Sequence, residues 1–365
     1  MEECSTCNHR TIPIFIPGVA CPHHCVYCNQ QVISGQQQVP DDEEILATVK
    51  QNLATIPSGS HIEIGFFGGT FTGLPLWQQE HLLQLVLPFI ESGQVKSLRC
   101  STHPLTVSRE KLALLKHYGM NTVELGVQSL DDDVLQQVGR GYTAQHVYTA
   151  AALIRSMDIH LGMQMMVGLP GDTKEKSLFT AQRIVACGAD NTRIYPTLVV
   201  QHTGLAELYR LGKYRALTVE EAVERVKGPL RYFQEHDVTV LRVGLHPTEG
   251  FINGTDYLAG PFHVSFKELV QTAIWHDVFL EKLYEMGMAA RSSGAVSRAT
   301  LPERMGRVAE ITVSPQQLNS AIGYNASNKN MLNELFYKVR FLPDHALRNY
   351  QFQMHIIDKI INHKQ

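Results

Sequence analysis

The 365-residue chain lacks any apolar run approaching the roughly 20 residues that cross a bilayer, so no membrane-spanning helix is expected. Its opening, MEECSTCNHR, lacks the basic and apolar regions of a secretory leader, and a cytoplasmic protein is expected. An excess of one charge is missing too. The net charge is -3 with 18% charged residues, so any RNA-binding surface has to be a local basic patch. Low-complexity segments and tandem repeats are absent. With 44% hydrophobic residues, this length can bury the core of one large or two ordinary domains.

What is present is unevenly placed cysteine. Seven cysteines in a reducing compartment do not read as a disulfide framework. Cys4, Cys7, Cys21, Cys25 and Cys28 crowd the start of the chain and look like ligands, while Cys100 and Cys187 read as small apolar fillers. Cys4 and Cys7, with His9, form either an accessory metal site or a mobile thiol pair.

Short β-rich runs alternate with helical patterns. The runs are 11–18, 61–69, 97–104, 122–129, 160–170, 191–200 and 239–246. The intervening segments, such as DDEEILATVKQNLATI and KEKSLFTAQRIVACG, carry apolar residues at helical spacing. This alternation predicts an α/β fold: a parallel sheet with right-handed crossovers, as a partial or complete (β/α) TIM-like barrel over residues 1–250. Most strands end in small or polar residues, including Gly-Gly-Thr, Ser-Thr-His-Pro, Gly-Val-Gln-Ser and Tyr-Pro-Thr, where barrels gather their active sites. Tyr195 and His246 fall at such ends. Tyr195 is the candidate catalytic residue, as a hydrogen relay or substrate contact, with a packed aromatic as the other reading. Met163, Met165 and Met166 are expected in the barrel core, one of them near the ligand. The charged run 218–230 reads as a solvated helix face.

Residues 251–365 change pattern into a small α+β region: a helix over 262–287, a basic polar connector (VSRATLPERMGR), a strand at 308–313, two helices around Gly323-Tyr324-Asn325-Ala326, and a strand at 338–344. Strand, helix, turn, helix, strand is the order of a KH-like RNA-binding unit, whose Gly-x-x-Gly loop lets backbone approach phosphate. Here Ala326 replaces the second glycine, so the loop is degenerate, although Asn325, Ser327, Asn328 and Lys329 can still donate. A plain helical hairpin closing the barrel is the alternative.

Cys21, Cys25 and Cys28 have the spacing C-x3-C-x2-C after a predicted strand. Zinc commonly takes four ligands as two separated pairs, and no downstream pair exists; Cys7 or His24 would have to complete such a site. Three thiolates on one loop can instead hold three irons of a cubane cluster, leaving the fourth iron open to a small molecule.

The triplet resembles the signature of the radical SAM superfamily, in which that iron chelates S-adenosylmethionine. The resemblance implies a [4Fe-4S] cluster on Cys21, Cys25 and Cys28. It also implies S-adenosylmethionine contacts from Gly68, Gly69 and Thr70 after the second strand and from Tyr27 beside adenine. In the manner of anaerobic coproporphyrinogen oxidase, Gln128 would reach ribose and Arg140 the carboxylate. Ser101 and Gln164 occupy further ligand-facing positions. Relatives often read Arg-Pro-Asp where His103-Pro104-Leu105 stands.

FIPGVACPHHCVYCNQ, FFGGTFTGLP, VELGVQSLDDDVLQQVGRGYT and RIYPTLVVQHTGLAELYRLGKYRALTVEEAVE resemble the radical SAM core of the Elongator catalytic subunit, a tRNA-modifying enzyme. No Gly-rich acetyl-CoA loop follows, so the acetyltransferase half of that family is not expected in this sequence. The resemblance implies a radical enzyme acting on RNA, most plausibly tRNA, with a one-electron reductant of flavodoxin or ferredoxin type as partner. A small-molecule radical enzyme and a non-catalytic cluster-binding protein remain the alternatives.

Overall fold

The structure is a computed structural model and describes residues 9–36, 38–288 and 307–358. Cys4, Cys7 and most of the predicted polar connector lie outside the described residues. The chain divides into two compact units, residues 1–225 with 236–264, and residues 226–235 with 265–365.

The first unit is a seven-stranded sheet. Its strands are β1 (His9–Phe15), β2 (His61–Phe67), β3 (Ser97–Thr102), β4 (Met120–Gln128), β5 (His160–Val167) and β6 (Asn191–Pro196); β7 (Val199–Val200) lies outside it, and β8 (Thr239–Val243) completes it. The order is β1-β2-β3-β4-β5-β6-β8 with every pairing parallel, so β1 and β8 are edges and the sheet curls into a half-barrel. The crossover helices form where the apolar periodicity places them. Asp42–Thr55 starts at a reciprocal Asp41–Glu44 capping box, and Arg109–His117 and Lys174–Ala186 start at Ser108 and Thr173. Their apolar stripes cover the outer face of the sheet, where Ile12, Ile64, Leu98, Val123, Leu161 and Ile194 are buried.

One predicted strand is two. The run 191–200 leaves the main sheet after Pro196, because Thr197 donates both its N–H and its hydroxyl to the Val167 carbonyl and turns the chain aside. Val199–Val200 then pairs antiparallel with β9 (Tyr257–Ala259).

The second unit packs the helix Phe266–Glu285 with a three-stranded sheet of order β11-β10-β12, formed by β10 (Arg307–Val313), β11 (Lys338–Pro343) and β12 (Phe352–Asp358). β10 and β11 are parallel, and β12, which the sequence reading did not anticipate, runs antiparallel to β10. Trp275 is fully buried, and its indole N–H donates to Gln317 at 3.0 Å. The expected strand–helix–turn–helix–strand order is realised with helices at Leu318–Ile322 and Ser327–Asn333.

Candidate active site

The cysteine loop leaves β1 at Phe15 and is pressed onto the end of β2. Ile16 N–H donates to the Phe67 carbonyl at 2.7 Å, Gly18 N–H to Gly68 at 2.8 Å, and Thr70 N–H back to Val19 at 3.1 Å. A Cβ on Gly69 would sit 2.5 Å from the Ile16 oxygen and 2.8 Å from the Val19 oxygen, so only glycine lets the loop backbone descend this far. The first task of these glycines is therefore to seat the loop, beneath any contact to a ligand. Farther along, Val26 N–H bonds to Val138, and Leu205 N–H to Val26. Tyr27 packs among Val134, Val138, Leu169, Val199 and Leu205. Three separate segments thus fix the loop.

Each thiol has a polar neighbour. Cys21 Sγ lies 3.3 Å from Thr70 Oγ1, Cys25 Sγ accepts from Arg140 Nη1 at 3.2 Å, and Cys28 Sγ accepts from Gln30 Nε2 at 3.2 Å. Burial, and then the nearby Cys25, pushes the Cys28 thiol up to about 12, so an ionised Cys28 needs added positive charge beside it. Among the described residues no trio of His, Cys, Asp or Glu converges on a single ion. Thiolates that each take a different iron must stand farther apart than ligands around one ion. The donor set, three thiols on one wall with N–H and O–H groups aimed at sulfur, fits a cluster better than an isolated divalent ion.

The loop forms one wall of a cavity of 1410 Å³ inside the half-barrel. Every residue picked from the sequence as a candidate cluster ligand, S-adenosylmethionine contact or catalytic group lines it: Cys21, Cys25, Tyr27 and Cys28 on the loop, Gly68, Gly69 and Thr70 after β2, Ser101 on β3, Gln128 ending β4, Arg140, Gln164 on β5 and Tyr195 on β6. His246 lines it as well, as does Met166, while Met163 and Met165 are buried in the core. Gln128 ends β4 at a break in register and has φ +67°, a left-handed conformation that costs a non-glycine residue about 1–3 kcal/mol and collects at functional sites. Its side-chain oxygen accepts from Gln164 Nε2 at 3.5 Å. Arg140 is buried, with Nε donating to the Tyr142 hydroxyl at 3.0 Å and Nη2 donating to the Gly126 carbonyl. His103 is buried against Tyr142; burial and then the Arg140 charge hold its imidazole down to about 3, and its Nε2 finds no hydrogen-bond partner among the described residues.

The sequence reading missed the charged floor. Arg99 donates to Glu63 at 2.9 Å and to Glu124 at 3.2 Å, and Arg193 donates to Glu124 at 2.9 Å. Burial opposes the Glu124 charge, yet Arg193 and Arg99 outweigh it and hold the carboxyl below its ordinary range. Tyr195 is hydrogen-bonded to Arg193, and burial raises its phenol. The available signal was a single Glu or Arg inside each of four strands.

The profile of the radical SAM superfamily matches residues 15–183, and that of the radical SAM C-terminal domain matches residues 189–276. The heme chaperone HemW of Bacillus subtilis is 27% identical over 225 residues, which is 60% of this chain and 59% of that protein. The tRNA uridine(34) acetyltransferase of Dehalococcoides mccartyi is 26% identical over 238 residues, 56% of this chain and 52% of that protein. The chain thus spans a little over half the length of these curated relatives. The structure of archaeal Elp3 from Methanocaldococcus infernus superposes with a TM-score of 0.57 at 19% identity, covering 78% of this chain and 65% of that one, a likeness of fold.

Proposed function

The chain belongs to the radical SAM superfamily, and from that premise we propose that it binds a [4Fe-4S] cluster through Cys21, Cys25 and Cys28, binds S-adenosylmethionine in the adjoining cavity, and acts on RNA, with tRNA the favoured substrate. The observation that carries this reading is the convergence of three thiols and all the candidate ligand contacts on one cavity. A cluster held by Cys21, Cys25 and Cys28 would supply one-electron chemistry for the reductive cleavage of S-adenosylmethionine, with a flavodoxin- or ferredoxin-type protein as the electron donor.

The chain's own residues bind and orient. Gly68, Gly69 and Thr70 offer backbone and hydroxyl groups to the amino end of the ligand, Gln128 with Gln164 a pair of amides to ribose, and Arg140 a fixed positive charge toward a carboxylate. Tyr27 and its apolar neighbours exclude water from one side of the loop. Tyr195, anchored by Arg193, is the candidate substrate contact. The name of the tRNA-directed relative supports the choice of tRNA, as does the strand–helix–turn–helix–strand order in the second unit.

Anaerobic reconstitution, dithionite reduction and assay of 5'-deoxyadenosine test the first half, and tRNA nucleoside profiles of cells with and without the protein test the second. Release of deoxyadenosine and loss of one modified nucleoside are expected. Identity to a heme chaperone favours a second reading, a tetrapyrrole ligand. A saturable shift of the Soret band on titration with heme, together with unchanged tRNA nucleosides, establishes that reading instead.

A further inference from the structure

The cavity carries more positive charge than the binding of S-adenosylmethionine uses. Five arginines line it (Arg10, Arg99, Arg140, Arg193 and Arg242) against one carboxylate, Glu124. The chain as a whole is acidic, at -3. Arg99 and Arg193 balance Glu63 and Glu124, and Arg140 is turned to Cys25. Arg242 forms no ion pair with any carboxylate among the described residues.

Its position makes that expensive. Arg242 on β8 is the register partner of Arg193 on β6 and both line the cavity, so two positively charged side chains start from neighbouring positions on the concave face, where like charges repel. Arg242 is half-buried, and it depresses His246, which burial already lowers. It also belongs to the edge strand that borders the open side of the half-barrel, away from the sheet's centre. The cavity, at 1410 Å³, exceeds the roughly 300–1,000 Å³ of a pocket for one small ligand, which leaves room for a second molecule beside one held at the cysteine end.

We propose that Arg242, with His246 and the Tyr195 hydroxyl beside it, is the subsite for a backbone phosphate of the RNA segment that enters the open side of the half-barrel. A phosphate presents several acceptor oxygens to a guanidinium fork and supplies the counter-charge that Arg242 lacks. In an acidic chain, an uncompensated arginine on a concave wall also adds a local attraction for polyanions. The inference rests on the RNA-directed reading and names the group that RNA places there.

The test is equilibrium binding of the uridine trinucleotide UpUpU, of uridine and of orthophosphate to the full chain, with and without reconstituted cluster and without turnover. The trinucleotide is expected to bind more tightly than uridine. Arg242→Gln should weaken the trinucleotide about tenfold and leave uridine unchanged, while Arg242→Lys retains most of the affinity. The slope of log K against log salt should fall by about one in Arg242→Gln. Matching thermal melts of the variants exclude a folding defect. Equal trinucleotide affinity in wild type and Arg242→Gln overturns the subsite even if tRNA profiles change. Arg242-dependent orthophosphate binding with no trinucleotide binding overturns the RNA assignment while leaving an anion site.

Discussion

Single residues decide whether the cysteine loop reaches its position. Gly69 faces two backbone oxygens, Ile16 at 2.5 Å and Val19 at 2.8 Å from a would-be Cβ, and neither can yield without moving β1's exit. Gly69→Ala is therefore expected to cost about 1–3 kcal/mol in denaturant unfolding and to lower iron and sulfide content after reconstitution, because the thiols shift with the loop. Cys28→Ala should behave oppositely. Burial pushes its thiol up to about 12, so without a cluster stability should change little while iron retention is lost, read by metal analysis and the visible spectrum beside circular dichroism. Retention of a full cluster in Cys28→Ala overturns the ligand assignment. The cysteines and the Gly-Gly pair were legible in the sequence because their chemistry lies in local spacing. The floor was not: Arg99 meets Glu63 across 36 positions and Arg193 meets Glu124 across 69, partnerships that exist only once strand register is set.

Among the elements, the alternation of strand and helix fixes the order of the sheet, and the expected strands of the first unit form within a few residues of their predicted bounds. The misreading of 191–200 has a local cause, since β-prone residues continue past Pro196 while a threonine turn redirects the chain. β12 was missed although Phe352, Met354 and Ile356 alternate with polar residues along it. What ties neighbouring strands together at the floor is charge. Glu124 joins β3, β4 and β6 through Arg99 and Arg193. With its folded pKa below the ordinary 4.5, the carboxylate contributes stability that is fully present above the unfolded value and lost as pH falls through the folded one. Glu124→Gln leaves two buried guanidiniums short of a partner and should destabilise the first unit by about 3 kcal/mol at pH 7. The gap to wild type should close in acid, as wild-type Glu124 itself becomes protonated. Urea unfolding at neutral and acid pH reads both; a gap that widens on acidification contradicts the network's role.

At the scale of the molecule, the candidate chemistry is confined to the first unit, since every cavity-lining residue lies between His9 and Thr248. The second unit therefore contributes, if it binds RNA, through affinity alone. Its turn is built differently from a loop that offers backbone to phosphate. Tyr324 N–H already donates to Thr272 Oγ1 at 2.9 Å, Ala326 N–H donates to Gly323 at 2.8 Å, and Asn325 and Ala326 take left-handed conformations to allow this. With those donors engaged, side chains must make the contact, and Lys329, which enters no ion pair among the described residues, is a cation placed to do so. Lys329→Glu should weaken full-length tRNA binding about fivefold at moderate salt and lower the salt slope by about one. Substrate-free release of 5'-deoxyadenosine should be unchanged, so the defect appears in KM and not in kcat. A binding curve that superposes on wild type at every salt concentration would reduce the turn to a packing device, held to the helix Phe266–Glu285 through Thr272, and leave recognition of RNA to the arginine-lined cavity.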